Sequence, residues 1–180
     1  MKKKSLLLIV VLTLAGALGN ILMATDYYLV INAGSANLNI RYAEEGTYNG
    51  KPQYRYYSKY LRYTSDRWEI NNEDFSETYY FTDTPGETPP STGWTTGTNG
   101  VNPAPTVREA IQYIVSGAGI DDVNGTYIEL SYEHNGKPNY NKMEVYVKYY
   151  LQYNDRWEIY NDDAADDEYY TDTPGDTPPT

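Results

Sequence analysis

Five sequence blocks occur twice in the same order, and this repetition limits the fold more than any other property of the chain. Tyr28-Leu-Val-Ile-Asn-Ala-Gly34 matches Tyr113-Ile-Val-Ser-Gly-Ala-Gly119, and Asn49-Gly-Lys-Pro52 matches Asn135-Gly-Lys-Pro138. Tyr60-Leu-Arg-Tyr63 returns as Tyr150-Leu-Gln-Tyr153, and Asp66-Arg-Trp-Glu-Ile70 returns as Asp155-Arg-Trp-Glu-Ile159. Thr82-Asp-Thr-Pro-Gly86 with Thr88-Pro-Pro90 returns as Thr171-Asp-Thr-Pro-Gly175 with Thr177-Pro-Pro179. The spacing between copies drifts only from 85 to 90 residues, so the small insertions belong in turns and the chain holds two copies of one small domain.

Each copy reads as β structure. Short segments rich in Tyr, Ile, Val, Thr and Trp suit a pleated, half-buried surface, and Asn-Gly, Pro-Gly and Asn-Asp separate them. Strands are expected at 27–32, 38–44, 53–58, 60–64, 67–71 and 78–82, then at 112–116, 126–132, 140–146, 148–153, 156–160 and 168–171. Consecutive strands joined by tight turns pair as neighbours, which predicts an all-β protein. Its form is two tandem antiparallel meanders, each a curled sheet or partial barrel. Asn49-Gly50 and Asn135-Gly136 are expected to reverse the chain with positive φ. Thr106 to Gln112 has one helix-start signal, Glu109 three residues after Thr106, but is expected to be extended. Residues 28–94 form domain one, 95–111 a Gly/Thr/Asn/Pro-rich linker, and 112–180 domain two.

The core has to be made from unusual material. Leu, Ile and Val are sparse and Tyr occurs 22 times, so phenol rings fill the volume and their hydroxyls need partners. Trp68 and Trp157 hold the same position in both copies and are expected to anchor the two cores. Trp94 has no counterpart and is open to either a core or a surface role.

The N-terminus reads as an export signal. Lys2, Lys3 and Lys4 precede an apolar run from Leu6 to Leu18 that is too short for a confident membrane span. Cleavage is expected after Gly19, with Ala24 and Ala17 as alternatives; an uncleaved anchor is the other reading. Losing residues 1–19 takes away three of the 14 basic residues and none of the 25 acids, so the net charge moves from −11 to −14. A secreted or cell-surface protein follows, with no membrane attachment in the mature form.

That charge also argues against nucleic acid, which is bound through clusters of Lys and Arg. With no Cys and a single His, the chain has no disulfides, no thiol nucleophile, no Cys-ligated metal and no multi-histidine metal site. No catalytic residues are assigned. His134 is unduplicated and sits in a turn beside Asn135-Gly136, and no pair of carboxylates stands out for glycoside hydrolysis. The acidic runs Asn71 to Asp74, Asp121-Asp122 and Asp162 to Glu168 lack calcium-loop spacing and read as solvated turns. No cofactor is expected. Asn124-Gly-Thr126 is a candidate N-glycosylation sequence whose plainer reading is an ordinary turn.

The two copies end differently. Domain one is followed by 91–112, a segment with no covalent equivalent after domain two. A mature chain starting at Asn20 carries instead a strand-prone arm over 20–33, including Ile21, Leu22, Met23, Tyr27, Tyr28, Leu29, Val30 and Ile31. A spare strand at one end and a vacancy at the other suggest strand donation to an exposed sheet edge, with the edge of domain two and 171–180 as the acceptor. Donor and acceptor at opposite ends of one chain make a heterologous contact, which propagates into a filament. The alternative is a monomer of two beads.

Gly-Ala-Gly, Asn-Gly-Lys-Pro, Arg-Trp-Glu-Ile and Asp-Thr-Pro-Gly-x-Thr-Pro-Pro together resemble a small tandem repeat domain of exported microbial proteins. They also resemble the two-domain protomers of helical extracellular fibrils from environmental water. The resemblance covers residues 28–180 and departs where Asn37 to Tyr42 replaces Asn124-Gly-Thr-Tyr127. It implies a structural subunit whose partner is itself, in a helical homopolymer, and brings no catalytic residues. A secreted carbohydrate-binding module, with glycans as partner, is the alternative. Its rings would come from Tyr56, Tyr57, Tyr79, Tyr80, Tyr149, Tyr150, Tyr169 and Tyr170, of which the strand alternation should bury half.

Overall fold

The computed structural model describes residues 8–10 (backbone only), 26–142 and 148–179. The chain divides into two compact units, residues 20–110 and residues 111–180 joined by 1–19. It is all-β, as the repeat predicts, with two curled antiparallel sheets. The strands in chain order are β1 (Leu8–Val10), β2 (Tyr27–Ile31), β3 (Arg41–Tyr48), β4 (Lys51–Tyr56), β5 (Lys59–Tyr63), β6 (Trp68–Asn72), β7 (Thr78–Thr82), β8 (Thr95–Thr96) and β9 (Thr106–Glu109). Then follow β10 (Gln112–Ser116), β11 (Gly125–His134), β12 (Lys137–Lys142), β13 (Tyr149–Tyr153), β14 (Trp157–Asn161) and β15 (Asp166–Thr171). The strand expected at 140–146 is described only as far as Lys142.

In domain one the order is β8-β7-β6-β5-β4-β3-β2-β9, a meander whose last strand returns to pair with its first. Val107 N–H of β9 also donates to the Ser91 carbonyl at 3.1 Å, so the sheet curls its edge back toward the segment after β7. Residues 95–111 are therefore not a linker: β8 and β9 are edge strands of this sheet, and Val107 is fully buried in its core. Their Thr-, Pro- and Gly-rich composition reads as a loop because pairing here rests on backbone groups, with Val107 the one side chain buried from β9.

Domain two repeats the meander as β10-β11-β12-β13-β14-β15, with β1 added outside β10. The two Asn-Gly turns have the positive φ that a tight hairpin requires: 51° and 76° at Asn49-Gly50, 51° and 73° at Asn135-Gly136.

Each core centres on its tryptophan. Trp68 is fully buried among Tyr42, Tyr54, Leu61, Ile70 and Tyr80, and Trp157 among Tyr127, Tyr140, Leu151, Ile159 and Tyr169. Trp94 is buried with the first cluster and donates its indole N–H to the Pro90 carbonyl at 2.9 Å, which gives it a core role.

A second paired feature is the loop after each first strand. Asn39 Oδ1 accepts from Ala33 N–H at 2.7 Å and its Nδ2 donates to Ala33 C=O at 2.9 Å. Asn124 makes the same two bonds with Ala118, at 2.8 and 3.0 Å. The sequence departure at 37–42 thus leaves this clamp intact in both copies.

Candidate functional site

The outer edge of each domain's first strand is the first place to look for an interaction, because an unpaired edge exposes a row of backbone donors and acceptors. In domain one β9 covers the edge of β2 with Thr106 opposite Ile31, Val107 opposite Val30 and Arg108 opposite Leu29. In domain two β1 covers the edge of β10 with Leu8 opposite Ser116, Ile9 opposite Val115 and Val10 opposite Ile114. The repeat equates Val30 with Val115, so Ile9 stands where Val107 stands. Strand direction and register agree at all three positions, although β1 precedes its domain in sequence and β9 follows its own.

This edge differs from the expected arrangement at both ends. Tyr27–Ile31 is not spare: it is β2, paired with β3 on one side and β9 on the other, with Tyr28, Leu29 and Val30 buried. Ile21, Leu22 and Met23 lie outside the described residues, as does most of the leader. The segment after β15 packs on its own core, where Gly175 C=O accepts the Trp157 indole N–H at 3.2 Å and Lys137 pairs with Asp176. The edge that β1 covers belongs to β10.

The second candidate is a face of domain two. A groove of about 460 Å³ is lined by Tyr132, Tyr150, Tyr160, Asn139, Gln152 and Glu158, among others. At its floor Gln152 Nε2 donates to Glu158 Oε1 at 3.1 Å, and Glu158 is 2% exposed. Burial, reinforced by the neighbouring Asp167 carboxylate, pushes the Glu158 carboxyl above its ordinary range. Asp167 itself accepts from Arg156 at 3.4 Å. Asn139 is also 2% exposed, and among the described residues its Oδ1 has no hydrogen-bond partner.

Register makes the same position in domain one directly comparable. Arg62 stands opposite Glu69 as Gln152 stands opposite Glu158, and Tyr60 opposite Asn71 as Tyr150 opposite Tyr160. The Arg62 side chain lies in the protein, 4% exposed. Its Nε donates to Asn71 Oδ1 at 2.9 Å and its Nη2 to Asn72 C=O at 2.6 Å. The guanidinium carbon sits 3.6 Å from the Phe75 ring centroid and 4.4 Å from that of Tyr60. Domain one has a cavity of its own nearby, about 500 Å³, which Tyr48, Phe75, Arg67 and Glu69 help to line.

Tyr79, Tyr80, Tyr149 and Tyr169 are buried, which removes half of the rings proposed for sugar stacking. Tyr56 and Tyr57 are exposed, and their rings meet edge to face at 4.6 Å. Tyr170 is half-buried under Arg156, 3.6 Å from its ring centroid. His134 lines the groove of domain two. The Asn124 amide is engaged by Ala118, so this residue holds a loop closed. No cluster of three or more His or acidic residues suited to a metal ion occurs among the described residues. No helix among them is long and apolar enough to cross a membrane.

No family model, curated protein or solved structure matches the chain. Sequence reasoning did not single out Gln152, Asn139 or Glu158. The signal was the Arg62/Gln152 difference inside an otherwise repeated Tyr-Leu-x-Tyr block.

Proposed function

We propose that this protein is a secreted structural subunit that polymerises head to tail into an extracellular fibril, by strand addition to the outer edge of β10. The single observation that carries this reading is the agreement between β1 on β10 and β9 on β2. The edge of β10 takes an apolar strand from a distant part of the sequence in the register that domain one reserves for its own β9. Once the leader is removed, that edge needs another strand, and the apolar stretch Ile21-Leu22-Met23 of a second copy is the donor. Main-chain hydrogen bonds supply the attraction and the residue opposite Val115 supplies the fit. Because the donor lies before domain one and the acceptor is in domain two, each added copy presents a fresh edge.

The test is electron microscopy of two leaderless chains, one starting at Asn20 and one at Asp26. The second retains all of β2. Filaments from the first and dispersed particles from the second are expected; dispersed particles from both overturn the reading.

A further inference from the structure

We propose that the groove on domain two is a binding site for an alkyl-guanidinium group, that of an arginine side chain, seated among Tyr132, Tyr150 and Tyr160 with its donors turned to Glu158 and Asn139. This goes beyond the fibril reading and does not depend on it.

Domain one shows what this position of the fold holds. There the guanidinium comes from within, as Arg62, stacked on Phe75 and Tyr60 and donating to Asn71 and Asn72. In domain two the guanidinium is gone, and of the rings and the side-chain acceptor around it only the tyrosine is retained, beside a buried glutamate at the same register. Tyr60 is kept as Tyr150 and Glu69 as Glu158, but Arg62 has become the shorter, neutral Gln152. The turn that carries Phe75 carries Ala164 and Ala165 instead, so the ring that closes over Arg62 is absent. Asn71 is replaced by Tyr160, which adds a ring to the wall of the groove.

Charge points the same way. One cation is lost at Gln152, and one anion is gained, because the strand position of Thr78 is taken by Asp167. Arg67 bridges Glu69 at 2.8 Å in domain one, whereas its equivalent Arg156 turns to Asp167. Glu158 is left buried with a neutral amide as its donor. A buried carboxylate whose arginine has turned to a neighbouring acid is costly, and so is a buried amide oxygen without a donor. Asn139, 2% exposed and one of the residues that line the groove, has such an acceptor in its Oδ1.

An arginine side chain meets these demands together. Its planar fork brings five N–H donors, its charge answers Glu158 and Asp167, and its face stacks on tyrosine. A lysine ammonium brings the charge without the planar stacking. A neutral sugar brings hydroxyls without the charge.

Calorimetric titration of the leaderless chain with N-acetyl-arginine methylamide, the matching lysine compound and N-acetylglucosamine tests the assignment. Saturable binding of the arginine compound is expected, at least tenfold tighter than lysine, with no heat from the sugar. Glu158→Gln is expected to weaken it at least tenfold. Gln152→Arg, which restores the internal guanidinium of domain one, is expected to abolish it and to raise the unfolding temperature of domain two. Absence of saturable binding, equal binding of the sugar, or binding that survives Gln152→Arg overturns the proposal. Sedimentation with and without the arginine compound identifies the source. If the arginine belongs to a second copy, the competitor shifts assembled chains toward monomer; if it belongs to another peptide, the assembly state is unchanged.

Discussion

Trp68 and Trp157 make the same hydrogen bond 18 residues along their own domains: each indole N–H donates to a glycine carbonyl, Gly86 at 3.3 Å and Gly175 at 3.2 Å. The bond ties the Thr-Pro-Gly segment that follows the last common strand to the centre of each core. It also explains why Arg-Trp-Glu-Ile and Asp-Thr-Pro-Gly recur as a set: one block supplies the donor and the other the acceptor.

Trp68→Ala is accordingly expected to destabilise domain one, and Trp157→Ala domain two, each by about 3–5 kcal/mol from lost burial and the cavity left behind. Trp→Phe at either position keeps most of the ring volume and leaves the glycine carbonyl without its donor. About 1 kcal/mol of the effect should then trace to the hydrogen bond. Denaturant unfolding followed by near-ultraviolet circular dichroism resolves which domain has lost stability. Equal weakening of both domains by one substitution would contradict the picture of two separate cores.

Asn39 and Asn124 each clamp the backbone of an alanine six residues earlier through both side-chain atoms. Replacing either by Ala leaves a backbone N–H and a C=O without their partner and is expected to cost about 1–3 kcal/mol in the domain concerned. Asn→Asp keeps the acceptor and loses the donor, so it should recover part of that cost. Hydrogen exchange at the Ala33 and Ala118 amides reads the clamp directly, and fast exchange there in the native protein would refute it.

Buried tyrosines make the protein sensitive to alkali. Burial is the main cause that pushes the Tyr28 hydroxyl up to about 12, with Glu109 adding to it, and burial also raises Tyr42 and Tyr54. An unfolded phenol ionises near 10, so between about 10 and 12 the unfolded chain has given up a proton that the folded chain still binds. Stability is therefore complete below pH 10 and falls as pH rises through that window. Thermal scans from pH 9 to 12 are expected to show the loss, and Tyr28→Phe is expected to make it shallower. A flat profile would show that the hydroxyl titrates freely.

Much of the fold was legible because the chain is its own alignment. Two copies fixed the turns at Asn49-Gly50 and Asn135-Gly136, the tryptophan anchors and the order of the meander. What remained hidden had physical causes. Thr95-Thr96 and Thr106–Glu109 carry almost no hydrophobic pattern, since their place in the sheet is set by backbone pairing, for Thr106–Glu109 with a strand at the far end of the domain. The leader and the β9 segment share no sequence similarity, so their common slot shows only in the register. The groove of domain two was harder still to read. Gln152 differs from Arg62 by one residue in a repeated block, and nothing in the sequence tells that the arginine is buried, stacked and hydrogen-bonded to a neighbouring strand.

The paired aromatic cores also determine how this molecule handles light. Trp68, Trp94 and Trp157 are all sequestered from water, and Tyr63 and Tyr153 lie 5.6 Å, centroid to centroid, from Trp68 and Trp157. Excitation absorbed by tyrosine rings at that spacing drains into the indoles. The folded chain should then emit almost entirely as tryptophan at short wavelength despite its 22 tyrosines. Returning tyrosine emission signals that a core has opened, and with one tryptophan replaced by Phe it tells which.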